Sequence, residues 1–97
     1  MNKVNCSTLN VNQLSEQVYR IRIQLLAGES FPFKGGQYLF LIMQDDRQIP
    51  LSIASAPEEV DFIELHIRIT QGNSLASEML ALFQSKKTFQ ILGPSGH

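Results

Sequence analysis

The sequence predicts an all-β fold, a six-stranded antiparallel Greek-key barrel with one capping α-helix. Segments 18–25 and 62–69 alternate apolar and polar residues with period two, which is typical of half-buried strands. Segment 74–83 instead has its apolar residues at helical spacing. Strands separated by turns, with one helix inserted before the last strand, favour a barrel closed by that helix.

Size and composition indicate one folded domain. The chain has 97 residues, enough for one modest core, so residues 1–97 are predicted to form a single unit. Apolar residues make up 43% and charged residues 18%, the balance of a soluble protein. The net charge of -1, with both signs interspersed, argues against a nucleic-acid partner. No apolar run could span a bilayer and no secretory signal follows Met1, so we expect no membrane partner and a cytoplasmic location.

Metal and disulfide chemistry are not predicted. Cys6 is the only cysteine, which excludes an internal disulfide and a cysteine metal cluster. The two histidines, His66 and His97, have no matching cysteines or paired carboxylates nearby in the sequence. We therefore assign no metal ligands.

The first half of the chain is predicted to supply four strands. The first runs from Lys3 to about Val11, and the second covers 18–25, where Val18 breaks the alternation through either a bulge or the end of the strand. Segment 38–43 is continuously apolar, which predicts a strand covered on both faces. Segment 45–48 is a polar turn that leads into the next strand.

The second half is predicted to supply two strands and the helix. Segment 62–69 places its odd-numbered isoleucine and leucine residues inward, and 88–92 forms the last strand. The helix, 74–83, is capped by either Asn73 or Ser74, and Gly72 allows a sharp entry.

Three motifs follow one another in a specific order. Segment 33–39 has the sequence FKGGQYL, where the glycine pair favours a tight turn into a strand. Segment 49–57 has the sequence IPLSIASAP, and 64–68 the sequence ELHIR. In this order they resemble the flavin-binding domain of the ferredoxin-NADP⁺ reductase superfamily, most closely the bacterial NAD(P)H:flavin oxidoreductases. The resemblance covers nearly the whole chain and implies a flavin that receives a hydride from NAD(P)H.

The resemblance implies that Ser52 is the catalytic centre, because the family serine donates a hydrogen bond near flavin N5. It also implies that Pro50 and Leu51 line the ring and that Ile53 is a further cofactor-binding residue. Strand alternation puts Leu51 and Ser52 on opposite faces unless the strand kinks, and Pro50 favours an edge position or a kink. Without the family pattern, Ser52 is interpreted as a water-facing serine on an edge strand.

The remaining site residues follow from the same resemblance. His66 lies at an outward position of its strand, and backbone contacts from His66 and Ile67 to the flavin are expected. Gly72, Ser74 and Ser77 lie at a helix N-terminus, which can bind an anion, and the family holds the flavin pyrophosphate there. Ser77 fits the family spacing better than Ser74. The alternative for this turn is a capped helix that only closes the barrel.

One departure from the superfamily bears on the cofactor. The usual motif has an arginine and a tyrosine where this chain has Ile49 and Leu51. Their loss removes a bidentate phosphate contact and an aromatic stacking surface. Arg47 could replace the arginine only if its loop folded back. We therefore expect a weakly held flavin, FAD or FMN, that exchanges as a substrate.

The nucleotide-binding partner domain has no counterpart in these residues. No strand–Gly-x-Gly-x-x-Gly–helix unit is present, so NAD(P)H is expected to act only with a second domain that follows in a full-length protein. The chain is then either an excised half or a free-standing flavin module, and its exposed domain interface would favour self-association. Two alternatives remain: a prosthetic-FAD electron-transfer reductase module, and a non-enzymatic barrel that has lost flavin binding.

Overall fold

The computed structural model describes residues 2–96, so His97 lies outside the described residues. The strands and the helix, in chain order, are β1 (Asn2–Gln13), β2 (Val18–Leu25), β3 (Tyr38–Ile42), β4 (Gln48–Ser52), β5 (Ile63–Arg68), α1 (Ser74–Gln84) and β6 (Phe89–Ser95). The prediction of six strands and one helix is confirmed. No helix in the described part of the chain has the length and apolar character needed to cross a membrane.

The six strands form one antiparallel sheet in the order β4-β3-β6-β1-β2-β5. The sheet curls into a half-barrel, which brings its two edge strands together. β4 and β5 meet at a single antiparallel bridge, between Ile53 and Leu65. The predicted Greek-key barrel is therefore confirmed, and its closure depends on one bridge.

The core fills the inner face of this curled sheet. Every strand except β4 contributes at least one fully or nearly fully buried side chain, because alternate residues point inward. α1 adds Ala76, Met79, Leu82 and Phe83 to the same cluster, and Phe83 meets Phe89 edge to face at 5.3 Å between ring centroids. The helix thus caps the core through its apolar face, as its periodicity predicts.

The structure decides two local predictions, one about β2 from the strand register and one about β3 from side-chain exposure. Val18 pairs regularly with Arg68 at the start of β2, so it marks the strand end, and the irregularity lies in β1 between Thr8 and Asn10. The prediction that 38–43 is covered on both faces is wrong for Tyr38 and Phe40. These two rings point outward and are only half-buried, because no further layer covers the outer face of β3 at these two positions.

The entry to α1 resolves the choice between two caps. The Asn73 side-chain oxygen accepts a hydrogen bond from the Ala76 backbone N–H at 3.1 Å, so Asn73 is the N-cap. Gly72 has φ of +83°, the left-handed conformation that permits the sharp entry. The helix begins directly after the turn that follows β5.

Candidate functional site at the open seam

The backbone of β4 offers polar groups on its free edge. Met43 N–H donates to the Arg47 carbonyl at 2.8 Å and Ile53 N–H donates to the Gln37 carbonyl at 3.2 Å, so odd-numbered residues of this hairpin pair with β3. By strand alternation, the backbone groups of Pro50 and Ser52 point away from β3. Proline has no backbone N–H, so Pro50 leaves no unpaired donor on this free edge. The edge position that Pro50 predicts is confirmed.

Strand β5 likewise turns the backbone groups of every second residue toward the free edge of β4. The Glu64 carbonyl accepts the Ala54 N–H at 2.8 Å, whereas Ile69 N–H donates to Gln17 on the opposite side at 2.7 Å. Alternation therefore points the backbone groups of His66 toward β4 and those of Ile67 toward β2. Within residues 2–96 the β4–β5 ladder does not extend past the Ile53–Leu65 bridge. We call the region beside this bridge, where the backbone edges of Pro50–Ser52 and His66 face each other, the seam.

An aromatic surface lies beside the seam on the outer face. Tyr38 is the cross-strand partner of Ser52, and Phe40 is that of Pro50. The two rings meet edge to face at 5.4 Å between centroids. They border a shallow depression of about 400 Å³ together with Pro50, Leu51 and Ser52. This surface combines flat apolar area with the hydroxyl groups of Tyr38 and Ser52.

The structure revises which residues could line a flat ligand. Leu51 borders the depression, but it pairs with Leu39 and packs against the core from the inner face. Ile53 is 9% exposed and its side chain belongs to the core, so the assignment of Ile53 as a cofactor-binding residue stays a prediction that its side chain does not support. Tyr38 and Phe40 take this place because they share the outer face with Ser52. Their i, i+2 spacing in an otherwise aliphatic run was the sequence signal for this surface.

Tyr38 is held in place by the last described residues. The Ser95 hydroxyl donates to the Tyr38 hydroxyl at 3.3 Å. The Gln37 side chain donates to the Gly96 carbonyl at 2.8 Å, which fixes this segment beside the ring. A Cβ at Gly96 would lie 3.0 Å from a ring carbon of Tyr38. The chain therefore packs closely over one edge of the aromatic surface.

On the other side of the seam, the His66 side chain is held by Glu64 of the same strand. Its side chain is 45% exposed, in agreement with the predicted outward position, and its Nε2 lies 2.9 Å from Glu64 Oε2. Arg22 Nε donates to Glu64 Oε1 at 3.0 Å, and the Arg22 guanidinium stacks 4.2 Å from the centroid of the Phe62 ring. Partial burial opposes ionisation of Glu64, but hydrogen bonds from His66 and Arg22 hold its pKa below the usual value.

Ile67 does not reach the seam. It is 3% exposed, and its backbone groups turn toward β2, where it pairs with Tyr19. Alternation therefore places only His66 of this pair at the seam, and the expected flavin contact from Ile67 stays a prediction that this geometry does not favour.

The helix N-terminus lies beyond the end of β5. A shallow depression there is lined by Gly72, Ser74 and Ser77 together with Asn73 and residues 69–71. Ser74 and Ser77 are both exposed and are three residues apart, so they share one face of the first turn. Asn73 uses its side chain to cap the helix, and the first turn contains no acidic residue. The structure thus brings together the three residues that the sequence singled out here.

Arg47 is engaged elsewhere. Its guanidinium contacts Asp45 at 2.7 Å and Glu78 of α1 at 3.0 Å, which ties the β3–β4 hairpin to the helix. The hydrogen bond from Arg47 lowers the pKa of Asp45. Arg47 therefore does not fold back toward the seam, and the condition under which it could replace the family arginine is not met.

Comparison with known proteins gives consistent matches over most of the chain. A family model described as the oxidoreductase FAD-binding domain matches residues 5–97. An NAD(P)H-flavin reductase from Vibrio harveyi is 36% identical over 84 residues, 84% of this chain and 34% of the relative. A terephthalate 1,2-dioxygenase reductase component from Comamonas is 33% identical over 76 residues, 78% of this chain and 22% of the relative.

A solved structure supports the fold. The crystal structure of a cytochrome P450 reductase from Amycolatopsis superposes with a TM-score of 0.82 at 23% identity. The match covers 99% of this chain and 29% of that protein. The chain spans about a third of the length of the flavin reductase relative and less of the others.

Proposed function

Because this chain belongs to the oxidoreductase FAD-binding domain family, we propose that it binds a flavin at the seam and presents flavin N5 to NAD(P)H for hydride transfer in the whole protein. Membership of the ferredoxin reductase-like proteins confirms the resemblance drawn from the three motifs. The proposed reaction is that of the flavin reductases, in which the flavin itself carries out the redox chemistry.

The seam is the observation that carries this proposal. Beyond the Ile53–Leu65 bridge no further pairing joins β4 to β5 in the described residues, and Pro50, Ser52 and His66 turn backbone groups toward this opening. Polar backbone groups in such a place need partners, and the edge of a planar heterocycle with its own donors and acceptors supplies them. The adjacent Tyr38 and Phe40 rings supply apolar surface for the rest of the ring system. The residues present therefore fit an isoalloxazine.

Each residue then has a distinct task. Ser52 points outward beside this surface, where its hydroxyl would orient N5 through a hydrogen bond. Pro50 contributes flat apolar area next to Phe40, while the His66 backbone would meet the polar edge of the ring. When bound, the flavin accepts a hydride at N5. The protein binds the ring, orients it and limits the approach of water from the Tyr38 side.

We further propose that the flavin exchanges rather than staying bound. Ile49, at the family arginine position, pairs with Leu41 and packs against the core. Arg47 is held by Asp45 and Glu78. Strand β4 therefore offers no cation to a flavin phosphate. The aromatic surface and the seam are left as the main contacts, and they recognise the ring that riboflavin, FMN and FAD share.

A second candidate is a prosthetic-FAD module that passes electrons to another protein. The exposed N-terminus of α1, with Ser74 and Ser77 on one face, is the observation that favours it, because such a terminus can hold a pyrophosphate. The Comamonas relative is named as the reductase component of a dioxygenase. In this function the helix terminus rather than the ring would dominate the affinity.

The further partners are proposals of the same kind. Since the chain covers about a third of its flavin reductase relative, we propose that an NAD(P)-binding domain supplies the nicotinamide in the whole protein. Self-association stays a prediction. The large apolar side chains that are exposed in the described residues are Leu9, Leu14 and Val60, at 44%, 51% and 89%.

A flavin titration of the purified chain tests the proposal. We expect fluorescence quenching with micromolar Kd values that differ by less than about fivefold among riboflavin, FMN and FAD, because the ring carries the affinity. A preference for FAD of a hundredfold or more would support the prosthetic module instead. Failure to bind any of the three would leave the non-enzymatic barrel. Thermal unfolding of the same samples verifies that each measurement was made on folded protein.

A further inference from the structure

The side chain of His66 has surroundings that the binding role of its backbone does not explain. It is the first side chain across the seam from Ser52, because the Ile53–Leu65 bridge places residues 52 and 66 at the next register position. Both side chains lie on the outer face, since Ile53 and Leu65 point inward. A ring that contacts Ser52 and the His66 backbone therefore lies next to the imidazole.

The imidazole is held in one orientation by a chain of contacts. Glu64 is 17% exposed and is fixed by Arg22, which in turn stacks on Phe62. An ionised carboxylate only accepts hydrogen bonds, so the short contact requires His66 Nε2 to carry the proton. Nδ1 is then the ring nitrogen that remains for another partner.

The charges around His66 favour a negative ligand. On its own strand, Glu64 and Arg68 flank it at i-2 and i+2, and on β2 the residues Arg20 and Arg22 lie opposite positions 66 and 64. β4 contributes no charged residue to this side. Arg68 bonds to the neutral Gln17 side chain and Arg22 to Glu64. Three guanidinium groups thus accompany one carboxylate, and the local potential is positive.

We propose that His66 is a positioning residue that makes the seam bind reduced flavin more tightly than oxidised flavin. The inference rests on the proposed flavin site. In the proposed reaction the C4–H bond of the dihydronicotinamide breaks, and its proton and electron pair form the N5–H bond. The nicotinamide becomes cationic, and the flavin ring gains one negative charge. The positive surroundings of His66, to which the imidazole adds when both its nitrogens carry protons, interact with this charge but have no comparable interaction with the neutral oxidised ring.

The test compares two dissociation constants on the purified chain. FMN is titrated in its oxidised form in air and in its dithionite-reduced form without oxygen, and the ratio of the two Kd values gives the potential shift on binding. For His66→Gln, whose amide can still donate to Glu64, we expect this ratio to fall about fivefold, because the site is partly exposed and the charge is screened. The oxidised Kd should stay within about twofold.

Two further variants make the result decisive. His66→Lys places a positive charge at the seam and should restore most of the lost preference. Arg47→Gln removes a cation from the hairpin–helix contact, away from the seam, and should leave the ratio unchanged. A ratio for His66→Gln equal to that of the wild type, or a His66→Lys ratio equal to that of His66→Gln, overturns the inference. If the wild-type chain bound neither form of FMN, the proposed function itself would fail.

Discussion

Ser52 of β4 and His66 of β5 lie at matching positions on the two edges of one curled sheet, with their backbone polar groups turned toward each other. They are 14 residues apart in the sequence and at opposite ends of the strand order. The single bridge between Ile53 and Leu65 brings them together. The bridge and the end of pairing beyond it set the positions of the backbone groups at the seam, so the fold and the candidate site share one structural cause.

Ser52→Ala should separate binding from reaction. In the whole protein we expect the reduction of flavin by NAD(P)H to slow about tenfold to a hundredfold, because one hydrogen bond to developing charge is lost. Flavin affinity should stay within about threefold, since the ring contacts are unchanged. Stopped-flow reduction and fluorescence titration measure the two quantities. Ser30→Ala, at an exposed loop serine, is the control, and equal losses of rate and affinity at Ser52 would contradict the N5 role.

Phe40→Ala should weaken the binding of all three flavins alike. The ring lies beside Pro50 on the outer face, and loss of an aromatic contact costs about 0.5–1.5 kcal/mol, or roughly twofold to tenfold in Kd. Titrations with riboflavin, FMN and FAD check this expectation. Val60→Ala removes an exposed apolar side chain elsewhere and should change no Kd. An effect confined to FAD would place the aromatic surface outside the ring site.

Two glycines with the same backbone conformation allow a matched test of the Tyr38 surface. Gly28 and Gly96 have φ values of +85° and +88°, so alanine should cost each a similar amount, about 1–2 kcal/mol of strain. Only at Gly96 would the new Cβ press on Tyr38, at 3.0 Å, whereas nothing lies within 4 Å at Gly28.

We therefore expect both alanine variants to lower the free energy of unfolding, measured in urea. Gly96→Ala alone should also weaken flavin binding, by displacing the Tyr38 ring. Wild-type affinity in Gly96→Ala would show that the position of this ring does not matter for the site.

The lowered pKa of Glu64 predicts a specific pH dependence of the free energy of unfolding. Hydrogen bonds from His66 and Arg22 outweigh partial burial and lower its pKa in the folded state from the ordinary 4.5. A lowered carboxylate pKa means that the ionised form stabilises the fold. This contribution is complete above the unfolded value and is lost as the pH falls through the folded value.

The free energy of unfolding of the wild type should therefore exceed that of Glu64→Gln near neutral pH, and the difference should shrink below about pH 4.5. Urea denaturation at several pH values measures it. Glu58→Gln, at an exposed residue of the β4–β5 loop, should give a difference that changes little. A Glu64→Gln difference that is the same in acid as at neutrality would mean that the Arg22–Glu64–His66 contacts do not stabilise the fold.

Local patterns predicted most of the secondary structure. The period-two segments became β2 and β5, and the helical spacing after Gly72 became α1 with an Asn73 cap. These succeed because alternation and capping depend on neighbours within a few residues. The long apolar run failed in part, since its composition does not reveal that the outer face at Tyr38 and Phe40 lacks a covering layer.

The candidate site was likewise predicted in part from the sequence and in part only from the tertiary structure. By itself, the sequence determined the family, the strand that carries Ser52, the outward direction of His66 and the turn that starts α1, because each is a property of a short segment. Strand alternation also predicted that Leu51 and Ser52 point to opposite faces. Only the tertiary structure decided that Tyr38 lies beside Ser52, that Arg47 is bound to α1, and that β4 and β5 leave an open seam. These depend on sheet order and curvature, which arise when strands distant in the chain pack around one core.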